Sequence, residues 1–598
     1  MTRPSGRLPK FATLLASFAI VAAACTPGPS TAPTGGPTTG PTSQASTAAA
    51  IKYPATGEVT CPSGSTAGSY GGKDYKGNMK SIEAPDASTV VFTLCAPDVA
   101  FLQKMAFAVF YINDSGWIEK HAADGTIKDT MNGTGPYKLD AWNKGTELTF
   151  SKFDNYWNKD KYPLVPNAVL RWSKDSGARL QALQAGQVTG MTLVGPNDFD
   201  TVKNDATLLL APAPEGQALN TLFVGMNHDD APWDKLEVRK AVSLAIDRQR
   251  IVTNFYPAGS EVATHFTPCA IKYACVGPDW PSGGTAADIQ QAKDLLTQAG
   301  FPNGFKTKIQ YRNVFRGYLP QPPVVAQDLK EQLAKIGIDA TIDEQDSATY
   351  IKNANSGKLD GVFLLGWGAD YPEVTNFMDY HFGSGCTAAF GKCLPDISTP
   401  LGKGNSTTDD AARTAAYTEA NQKLIDDVPM VPIAHGQYAN AYLAGTTGAQ
   451  VSAISTEVMW GMKPPATASD PNTVVLMQNA EPIGLYCADE TDGESLRACE
   501  QSMEGLYGYT VGGTDVIPVL ATSCDPNTDG TVWTCKLRQG VTFHDGSTFD
   551  AQDVVTSFAV QWDEANPLHK GNTGIFEYWG GLWGGSLNPA PPATPAPS

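Results

Sequence analysis

A short segment near the middle of the chain combines residue types that suit the binding of a small cation. Residues 366–372, GWGADYP, place the aromatic side chains of Trp367 and Tyr371 on either side of the carboxylate of Asp370. They continue an apolar segment, KLDGVFLLGW, that predicts a buried strand running into a loop. A desolvated carboxylate with flanking aromatic faces accommodates an ammonium group well. We therefore predict a ligand site here; the alternative is that Trp367 only packs at an interface between lobes.

Common catalytic and nucleotide-binding motifs are missing from the sequence. We find no GxSxG, no HExxH, no GxxxxGKS/T and no GxGxxG after a predicted strand. His544 stands beside Asp545, but both lie in a predicted turn, so we interpret His544 as a turn residue. The histidines are not grouped, and no CxxC or HxxxH pair occurs. The sequence therefore predicts a protein that is not an enzyme and has no metal and no cofactor.

The length and charge of the chain limit its architecture and its partners. At 598 residues it is longer than one hydrophobic core usually supports, so two or three lobes are expected. The net charge is −18, and no basic patch is visible in the sequence. Nucleic-acid binding is therefore not expected, because it depends on basic groups that neutralise phosphates.

The first 25 residues resemble a lipoprotein signal peptide. An apolar run, residues 11–24, follows basic residues and leads to Cys25, which the resemblance implies is lipidated. Ala22 departs from the pattern, in which Leu is more usual. A transmembrane anchor is the alternative, but the apolar run is shorter than the roughly twenty residues that a bilayer core requires. Residues 26–60, rich in Pro, Thr, Gly and Ser, are predicted to be a tether.

Ten cysteines remain when Cys25 is set aside, and an even number in an exported chain indicates disulfides. Cys524 and Cys535 flank the turn-rich hexapeptide DPNTDG, so we predict that they bridge a β-hairpin. The sequence does not fix the connectivity, although short loops favour neighbouring partners. The pairs expected on that basis are Cys61–Cys95, Cys269–Cys275, Cys386–Cys393, Cys487–Cys499 and Cys524–Cys535.

Several spaced segments resemble the extracellular solute-binding proteins of the peptide and nickel type, the cluster 5 family that serves ABC importers. They are NGTGPYKLDAW at 132–142, ELTFSKFDNYW at 147–157, a strand-to-helix stretch at 226–252, and TVWTCKLRQGVTFHDGSTFDAQDVVTSF at 531–558. The resemblance implies an α/β, bilobal periplasmic-binding-protein type II fold with an additional small lobe. It also implies a ligand enclosed between two lobes that close by hinge motion.

The order of these segments differs from that of the family. Residues 531–558 and a strand at 474–482 resemble segments near the family's mature N-terminus, yet here they come last, and each motif occurs once. We therefore predict a circular permutation, with the usual ends joined near residues 462–473 and new ends in the small lobe. A fused or misassembled gene is the alternative.

The permutation makes predictions about strand pairing. Residues 474–482 should share a sheet with the strands around Tyr137 and Leu148, and residues 85–95 should pair with residues 531–537. The predicted domains are a signal peptide (1–25), a tether (26–60), a small lobe (61–131 with 511–588), lobe I (132–245 with 456–510), lobe II (246–455) and a disordered tail (589–598).

The resemblance also implies roles for individual residues. In peptide-binding members an Asp shortly after the Trp pairs with the α-amino group of the ligand, and Asp370 occupies that position. In metal-chelate-binding members, aromatic residues spaced as Trp367 and Tyr371 are here line the pocket. Arg312 or Arg316 lies roughly where dipeptide-binding members place an Arg for the ligand carboxylate.

Trp460 stands at a predicted crossing between the lobes, where it lines the cleft or packs in the hinge. The expected ligand-binding residues are thus Trp367, Asp370, Tyr371, Arg316 and Trp460. The expected function is to capture di- or oligopeptides at the extracytoplasmic face of the bacterial cell membrane, as a lipid-anchored monomer, and to deliver them to a membrane ABC permease. An oligosaccharide or a nickel chelate is the alternative ligand; a secreted hydrolase or a surface scaffold is the alternative class.

Overall fold

The computed structural model describes residues 50–63, 66–213, 218–454 and 457–589. The predicted signal peptide with Cys25, the tether up to residue 49 and the predicted tail from residue 590 lie outside these ranges. Within them, no helix has the length and the apolar character needed to span a bilayer.

Strands and helices alternate along much of the chain. The strands are β1 (Ile51–Tyr53), β2 (Gly68–Tyr70), β3 (Lys73–Tyr75), β4 (Met79–Asp86), β5 (Thr89–Leu94), β6 (Tyr137–Asn143), β7 (Glu147–Lys152), β8 (Asn167–Trp172), β9 (Gly190–Met191), β10 (Leu208–Pro212), β11 (Asn220–Met226), β12 (Glu261–Val262), β13 (Lys306–Arg312), β14 (Asp339–Gln345), β15 (Val362–Gly368), β16 (Met430–His435), β17 (Ala439–Leu443), β18 (Thr473–Gln478), β19 (Tyr507–Tyr509), β20 (Val516–Pro518), β21 (Ala521–Pro526) and β22 (Val532–Leu537). The α-helices are α1 (Phe101–Met105), α2 (Ser115–Asp124), α3 (Ser176–Gln184), α4 (Phe199–Asn204), α5 (Leu236–Ala245), α6 (Arg248–Phe255), α7 (Ala286–Gln298), α8 (Pro322–Ala334), α9 (Ser347–Asn355), α10 (Val374–Phe382), α11 (Pro395–Asn405), α12 (Asp410–Asp427), α13 (Gly493–Cys499), α14 (Ala551–Trp562) and α15 (Glu577–Trp583).

A five-stranded sheet, in the order β1-β4-β5-β22-β21, combines the two ends of the described chain. β22 pairs antiparallel with β5, with Cys535 opposite Val90, which is the pairing predicted for residues 85–95 and 531–537. β1 pairs with β4, so this sheet begins inside the predicted tether 26–60. Ile51 and Tyr53 pack against the hydrophobic core, which explains why this part of the segment forms a strand despite its composition.

A seven-stranded sheet has the order β10-β17-β9-β18-β8-β7-β6. β18 lies parallel to β8, with Val474 opposite Ala168, and β7 and β6 complete that edge of the sheet. The strand at 474–482 therefore shares a sheet with Tyr137 and Leu148, as predicted. β17 also belongs to this sheet, although the sequence assigned its residues to lobe II.

A six-stranded mixed sheet has the order β12-β16-β11-β15-β13-β14. β13 and β14 are parallel, whereas β11 runs antiparallel to both of its neighbours, β15 and β16. The sequence assigned β11 to lobe I, as part of 132–245. Every residue of β11 is buried, because the strand lies inside this sheet with neighbours on both sides.

Two extensive hydrophobic cores support the sheets. One contains residues of both the five-stranded and the seven-stranded sheet, such as Phe92 and Leu476, and the other lies around the six-stranded sheet, with Phe223 and Val362. Trp367 and Tyr509 are partly buried and pack against both cores. These two aromatic residues therefore lie where the cores meet.

Disulfides and helix caps agree with much of the local sequence pattern. All five expected pairs are bridged, and Cys524 lies directly opposite Cys535 in the β21–β22 hairpin. Thr285 and Asp288 form a capping box at the start of α7. The N-cap of α3 is Asp175, whose carboxylate accepts a hydrogen bond from the Ala178 amide.

Candidate functional site

A cavity of about 200 Å³ lies where the six-stranded and seven-stranded sheets meet. We call it the inter-sheet cavity. Trp367 and Gly368, at the end of β15, line one side, and Asn440 of β17 lines the other. Tyr578 of α15 also contributes to its wall. The walls of the cavity thus come from strands of two sheets and from α15, which follows the last strand of the five-stranded sheet in the sequence.

Asp370 lies in this cavity, as predicted. Its carboxylate accepts hydrogen bonds from Asn376 Nδ2, at 2.9 Å, and from the Tyr578 hydroxyl, at 3.2 Å. The carboxylate keeps some accessible surface within the cavity, but the walls shield it from bulk water and raise its pKa to about 7. No basic side chain of the described residues offsets this desolvation.

Asn376 positions both predicted residues of this wall. Its Oδ1 accepts hydrogen bonds from Trp367 Nε1, at 3.2 Å, and from the Asp370 amide, at 3.0 Å. Asn376 itself is fully buried in the first turn of α10. The helix that follows the loop therefore holds the indole and the carboxylate in a fixed relation.

Trp367 lines the cavity and also packs at the junction of the cores, so it does more than pack at an interface. Its ring stacks on Tyr380, with centroids 4.3 Å apart, and Tyr578 lies 5.8 Å away. Neither Tyr380 nor Tyr578 was predicted from the sequence. They meet Trp367 because α10 packs against α15, which lies about 200 positions later in the chain, and no local pattern signals that contact.

Tyr371 does not line the cavity, which corrects the expectation that it would contact ligand. Its side chain is fully buried and lies edge-on to Phe107, at 6.4 Å. Its hydroxyl accepts a hydrogen bond from the Thr375 hydroxyl, at 3.4 Å. The chain turns inward after Asp370, so the aromatic faces beside the carboxylate come from Trp367 and Tyr578 instead.

Arg316 lines the cavity, but its guanidinium is already paired. It forms two hydrogen bonds with the carboxylate of Glu494 in α13, and the Nη2–Oε2 distance is 2.9 Å. Burial opposes ionisation of Glu494, but the charge and hydrogen bonds of Arg316, together with the charges of Arg497 and Arg312, hold the pKa of Glu494 below its ordinary value.

Arg312, which the resemblance offered as the alternative to Arg316, also lines the cavity. Its guanidinium donates to the hydroxyls of Ser347, at 3.0 Å, and Tyr318, at 3.4 Å. We find no ion pair to Arg312 within the described ranges. Of the two arginines, Arg312 is therefore the one whose charge is still available to a ligand carboxylate.

Trp460 lies outside the inter-sheet cavity, which favours packing over lining the cleft, the two roles expected for it from the sequence. Its Nε1 donates to the main-chain oxygen of Glu500, at 2.9 Å, and its ring lies 4.6 Å from that of Tyr162. Met462 is fully buried. Both residues lie in segment 458–462, which forms hydrogen bonds to Glu500 and Gln501 directly after α13, and Trp460 lines a second, separate cavity.

Two features that resemble reactive sites have structural explanations. His544 bridges the Gly133 amide and the Gly135 oxygen, and burial lowers its pKa to about 4, in agreement with the predicted turn role. His265 lies close to Cys269 and Cys275, but these two cysteines form a disulfide and cannot supply thiolate ligands.

Comparison with known proteins places the chain in a family. The model of the bacterial extracellular solute-binding proteins, family 5 middle region, matches residues 43–389 and 515–575, which is more than half of the chain. The protein is a family 5 solute-binding protein. The α/β architecture with a cavity between sheets agrees with that membership.

Several curated proteins are similar to this family 5 protein. Di/tripeptide-binding protein 1 of Pseudomonas aeruginosa is 30% identical over 372 residues, which are 60% of this chain and 66% of that protein. The dipeptide-binding protein of Escherichia coli is 26% identical over 367 residues, again 60% and 66% of the two chains. Heme-binding protein A of Haemophilus influenzae is 27% identical over 374 residues, 60% and 64% of the chains. The chain thus spans just under two thirds of the length of these relatives.

Solved structures share the fold. A periplasmic binding protein of Helicobacter pylori in complex with the peptide STSA has a TM-score of 0.58 and 24% identity, and the match covers 66% of this chain and 77% of that one. A dipeptide-binding protein of Pseudoalteromonas in complex with Met-Leu has a TM-score of 0.53 and 25% identity, with 60% and 70% of the chains covered. Both support the type II periplasmic-binding-protein fold that the sequence indicates.

Proposed function

We propose that this family 5 protein is a peptide receptor of an ABC importer. The observation that carries the proposal is the Asp370 carboxylate. It lies desolvated in the inter-sheet cavity, beside the rings of Trp367 and Tyr578, with no cationic partner among the described residues. A peptide α-ammonium group would supply the missing positive charge.

The α-carboxylate at the other end of a peptide would bind to Arg312. Its guanidinium lines the same cavity and donates to two neutral hydroxyls, so a carboxylate would add the charge-assisted contact that it lacks. This pair of groups favours a zwitterion over an oligosaccharide, which carries no charges to match them. A nickel chelate would match Arg312 but leave Asp370 without a cation.

The size of the cavity favours a short peptide. Its volume of about 200 Å³ lies below the roughly 300–1,000 Å³ of pockets for drug-sized ligands. A di- or tripeptide is therefore the ligand class that we infer. The relatives named as di- and tripeptide-binding proteins support the same class.

The circular permutation is part of the proposal. It is supported by the five-stranded sheet, in which β5 from one end of the described chain pairs with β22 from the other, and by β18, which lies inside the seven-stranded sheet. The new ends are also close in space. The Tyr53 hydroxyl donates to Asp563 Oδ2, at 2.6 Å, and Asn588 Nδ2 donates to Asp563 Oδ1, at 2.9 Å.

We further propose that the receptor works outside the cytoplasmic membrane as a monomer, with Cys25 lipidated and a membrane permease as its partner. Five disulfides suit an oxidising, extracytoplasmic compartment. Metabolic labelling with a fatty-acid analogue would test the anchor: wild-type protein should be labelled and Cys25→Ala should not.

Calorimetric titration with dipeptides tests the ligand class, after native mass spectrometry of the purified protein has identified any molecule retained in the cavity. Asp370→Asn keeps the shape of the side chain but removes its charge, so we expect at least about 30-fold weaker binding, or about 2 kcal/mol. Asp379→Asn is the matched control. Asp379 is a second carboxylate, within α10, whose pKa burial raises to about 7, and it does not line the cavity. Equal dipeptide affinity in Asp370→Asn and wild type would overturn the peptide assignment, and a retained sugar or metal chelate would replace it.

A further inference from the structure

A second cavity, of about 370 Å³, lies beside the inter-sheet cavity. Residues 156–162 form one side and the β19–β20 hairpin forms another. We call it the aromatic cavity, because its walls include Tyr111, Tyr156, Trp157, Tyr162, Trp460 and Tyr509. Its volume falls within the roughly 300–1,000 Å³ of small-molecule pockets. Glu500 lines both cavities, whereas Trp460 and Trp157 line only the aromatic one.

Two carboxylates lie in the wall of the aromatic cavity. Glu504 accepts hydrogen bonds from the hydroxyls of Thr134, at 2.8 Å, and Tyr156, at 2.9 Å, and from Trp157 Nε1, at 3.1 Å. Glu500 Oε2 accepts from the Tyr111 hydroxyl, at 2.8 Å. Neither glutamate forms an ion pair within the described ranges, and burial raises the pKa of each to about 7.

The basic groups near this cavity already have partners, and two of them, Lys161 and Arg538, lie over aromatic rings of its wall. Arg497, on the side of Glu500, forms an ion pair with Glu457, at 2.8 Å. Arg538 lies 4.0 Å from the ring centroid of Trp157, and Lys161 lies 5.2 Å from that of Tyr162. The rings of Tyr111, Trp460 and Tyr509 have no Lys or Arg over their faces in the described part of the chain. Their faces and the two carboxylates together favour a positive charge inside the cavity.

Exposed apolar side chains surround the same region. Val511 and Ile517 line the cavity on the hairpin side, with 36% and 38% of their surfaces exposed. Leu164 is 41% exposed, and its amide donates to the Trp460 oxygen, at 3.0 Å. Single exposed apolar side chains are common, but a cluster of them often marks a binding site. They suit a ligand that carries apolar groups in addition to its charge.

We propose that the aromatic cavity is a second binding site, which takes a small alkylated organic ammonium ion. The aromatic faces surround the alkyl groups, and Glu500 and Glu504 balance the charge. Aromatic walls recognise quaternary ammonium groups in this way because the ring faces are electronegative and the methyl groups are apolar. The peptide site at Asp370 is a different cavity, so the second ligand does not occupy it.

Choline and its neutral isostere 3,3-dimethyl-1-butanol are suitable probes, because they share a shape and differ in charge. We expect choline to bind the purified full chain saturably and at least about tenfold more tightly than the alcohol. Equal affinity for the two compounds, or no saturable choline binding up to millimolar concentration, would overturn the proposal.

Three variants locate the cation. Glu500→Gln removes one charge while its amide oxygen can still accept from Tyr111, so we expect choline to bind about tenfold more weakly. Asp370→Asn should leave choline affinity unchanged. Trp460→Phe should retain most of the affinity but lose part of the choline-induced change in tryptophan fluorescence. If Asp370→Asn lost choline binding while Glu500→Gln kept the affinity of the wild type, the cation would lie in the inter-sheet cavity. That result would refute a second site. Unchanged circular dichroism and Tm confirm that each variant is folded.

Discussion

Arg316 and Glu494 join two parts of the molecule across the inter-sheet cavity. Arg316 follows β13 of the six-stranded sheet, and Glu494 lies in α13, which follows β18 of the seven-stranded sheet. Only 14% of the arginine side chain and 3% of the glutamate side chain are exposed. The pair thus closes the cavity from inside the protein, with both charges compensated.

Glu494→Gln should lower the free energy of unfolding by about 3 kcal/mol, because it leaves a buried guanidinium without its counter-charge. The double variant Arg316→Met with Glu494→Leu should recover much of that loss, since it removes both charges. Urea unfolding of the wild type, the single variants and the double variant measures the coupling. Glu147→Gln, which breaks the more exposed pair with Arg171, is the control and should cost about 1 kcal/mol or less. An equally small effect of Glu494→Gln would contradict the role given to the pair.

The ion pair of Arg316 and Glu494 should also influence how far the inter-sheet cavity closes. Breaking it removes a contact between segments anchored in different sheets, so the ligand-free Glu494→Gln protein should populate a more open form. Small-angle scattering should then show a larger radius of gyration without peptide and a normal one with saturating peptide. A radius identical to that of the wild type in both states would show that other contacts determine closure.

Peptide affinity should depend on pH in a bell-shaped way. The Asp370 carboxylate must be ionised to bind an ammonium group, and its pKa of about 7 in the free protein makes affinity fall below neutrality. The α-amino group of the peptide must stay protonated, so affinity should fall again above about pH 8. Calorimetric titrations from pH 5 to pH 9 measure both limbs. In Asp370→Asn the acid limb should be lost, and its persistence there would assign it to another group.

Stability should decrease as the pH rises from about 6.5 to 9. Burial raises the pKa of several carboxyl groups to about 7 or, for Glu490, about 9, well above their values in an unfolded chain. The folded state therefore binds more protons than the unfolded state in this range, and each deprotonation destabilises it. Buried histidines such as His381, with a lowered pKa of about 3, have the opposite effect, but only below the unfolded histidine pKa of about 6.5. Calorimetry should give a lower Tm at pH 8.5 than at pH 6.5, with a smaller difference in Glu490→Gln; a higher Tm at pH 8.5 would refute this.

The disulfides should differ in their contribution to stability according to the loops that they close. Cys61 and Cys95 are separated by 34 positions, and Cys269 and Cys275 by 6. The chain-entropy relation gives about 4 kcal/mol for the first bridge and about 2 kcal/mol for the second. Urea unfolding of the two double Cys→Ala variants tests the order. A larger loss at the short loop would show that native packing around Cys269 and Cys275 matters more than loop entropy.

The proposed permutation can be reversed. A chain cut between residues 464 and 472, with a short linker joining residue 589 to residue 50, should fold and bind peptide with unchanged affinity, because Tyr53 and Asn588 already share one acceptor. Circular dichroism and peptide titration measure the outcome. Failure of this chain to fold would show that the present order of segments is required and would oppose the permutation.

Much of the fold was predictable because its signals are local or repeated within short segments. The bridge between Cys524 and Cys535 follows from a turn between two alternating strands, and the pairing of β5 with β22 follows from the order of motifs. Tyr578 near Asp370 was not predictable, since it depends on how α15 packs against α10. Tyr371 was misplaced for a related reason: residue spacing in a loop does not show which side chain turns into the core.

Asp563 accepts hydrogen bonds from Tyr53 and Asn588, so a force applied to the N-terminal side of the described chain acts on the contacts around this carboxylate. A pull on the chain at residue 50 acts first on β1, an edge strand of the five-stranded sheet, and on the hydrogen bond from Tyr53 to Asp563. Neither contact lies in the wall of the inter-sheet cavity. With Cys25 lipidated as proposed, drag from a moving membrane would therefore act on one edge of one sheet and not on the wall of the inter-sheet cavity.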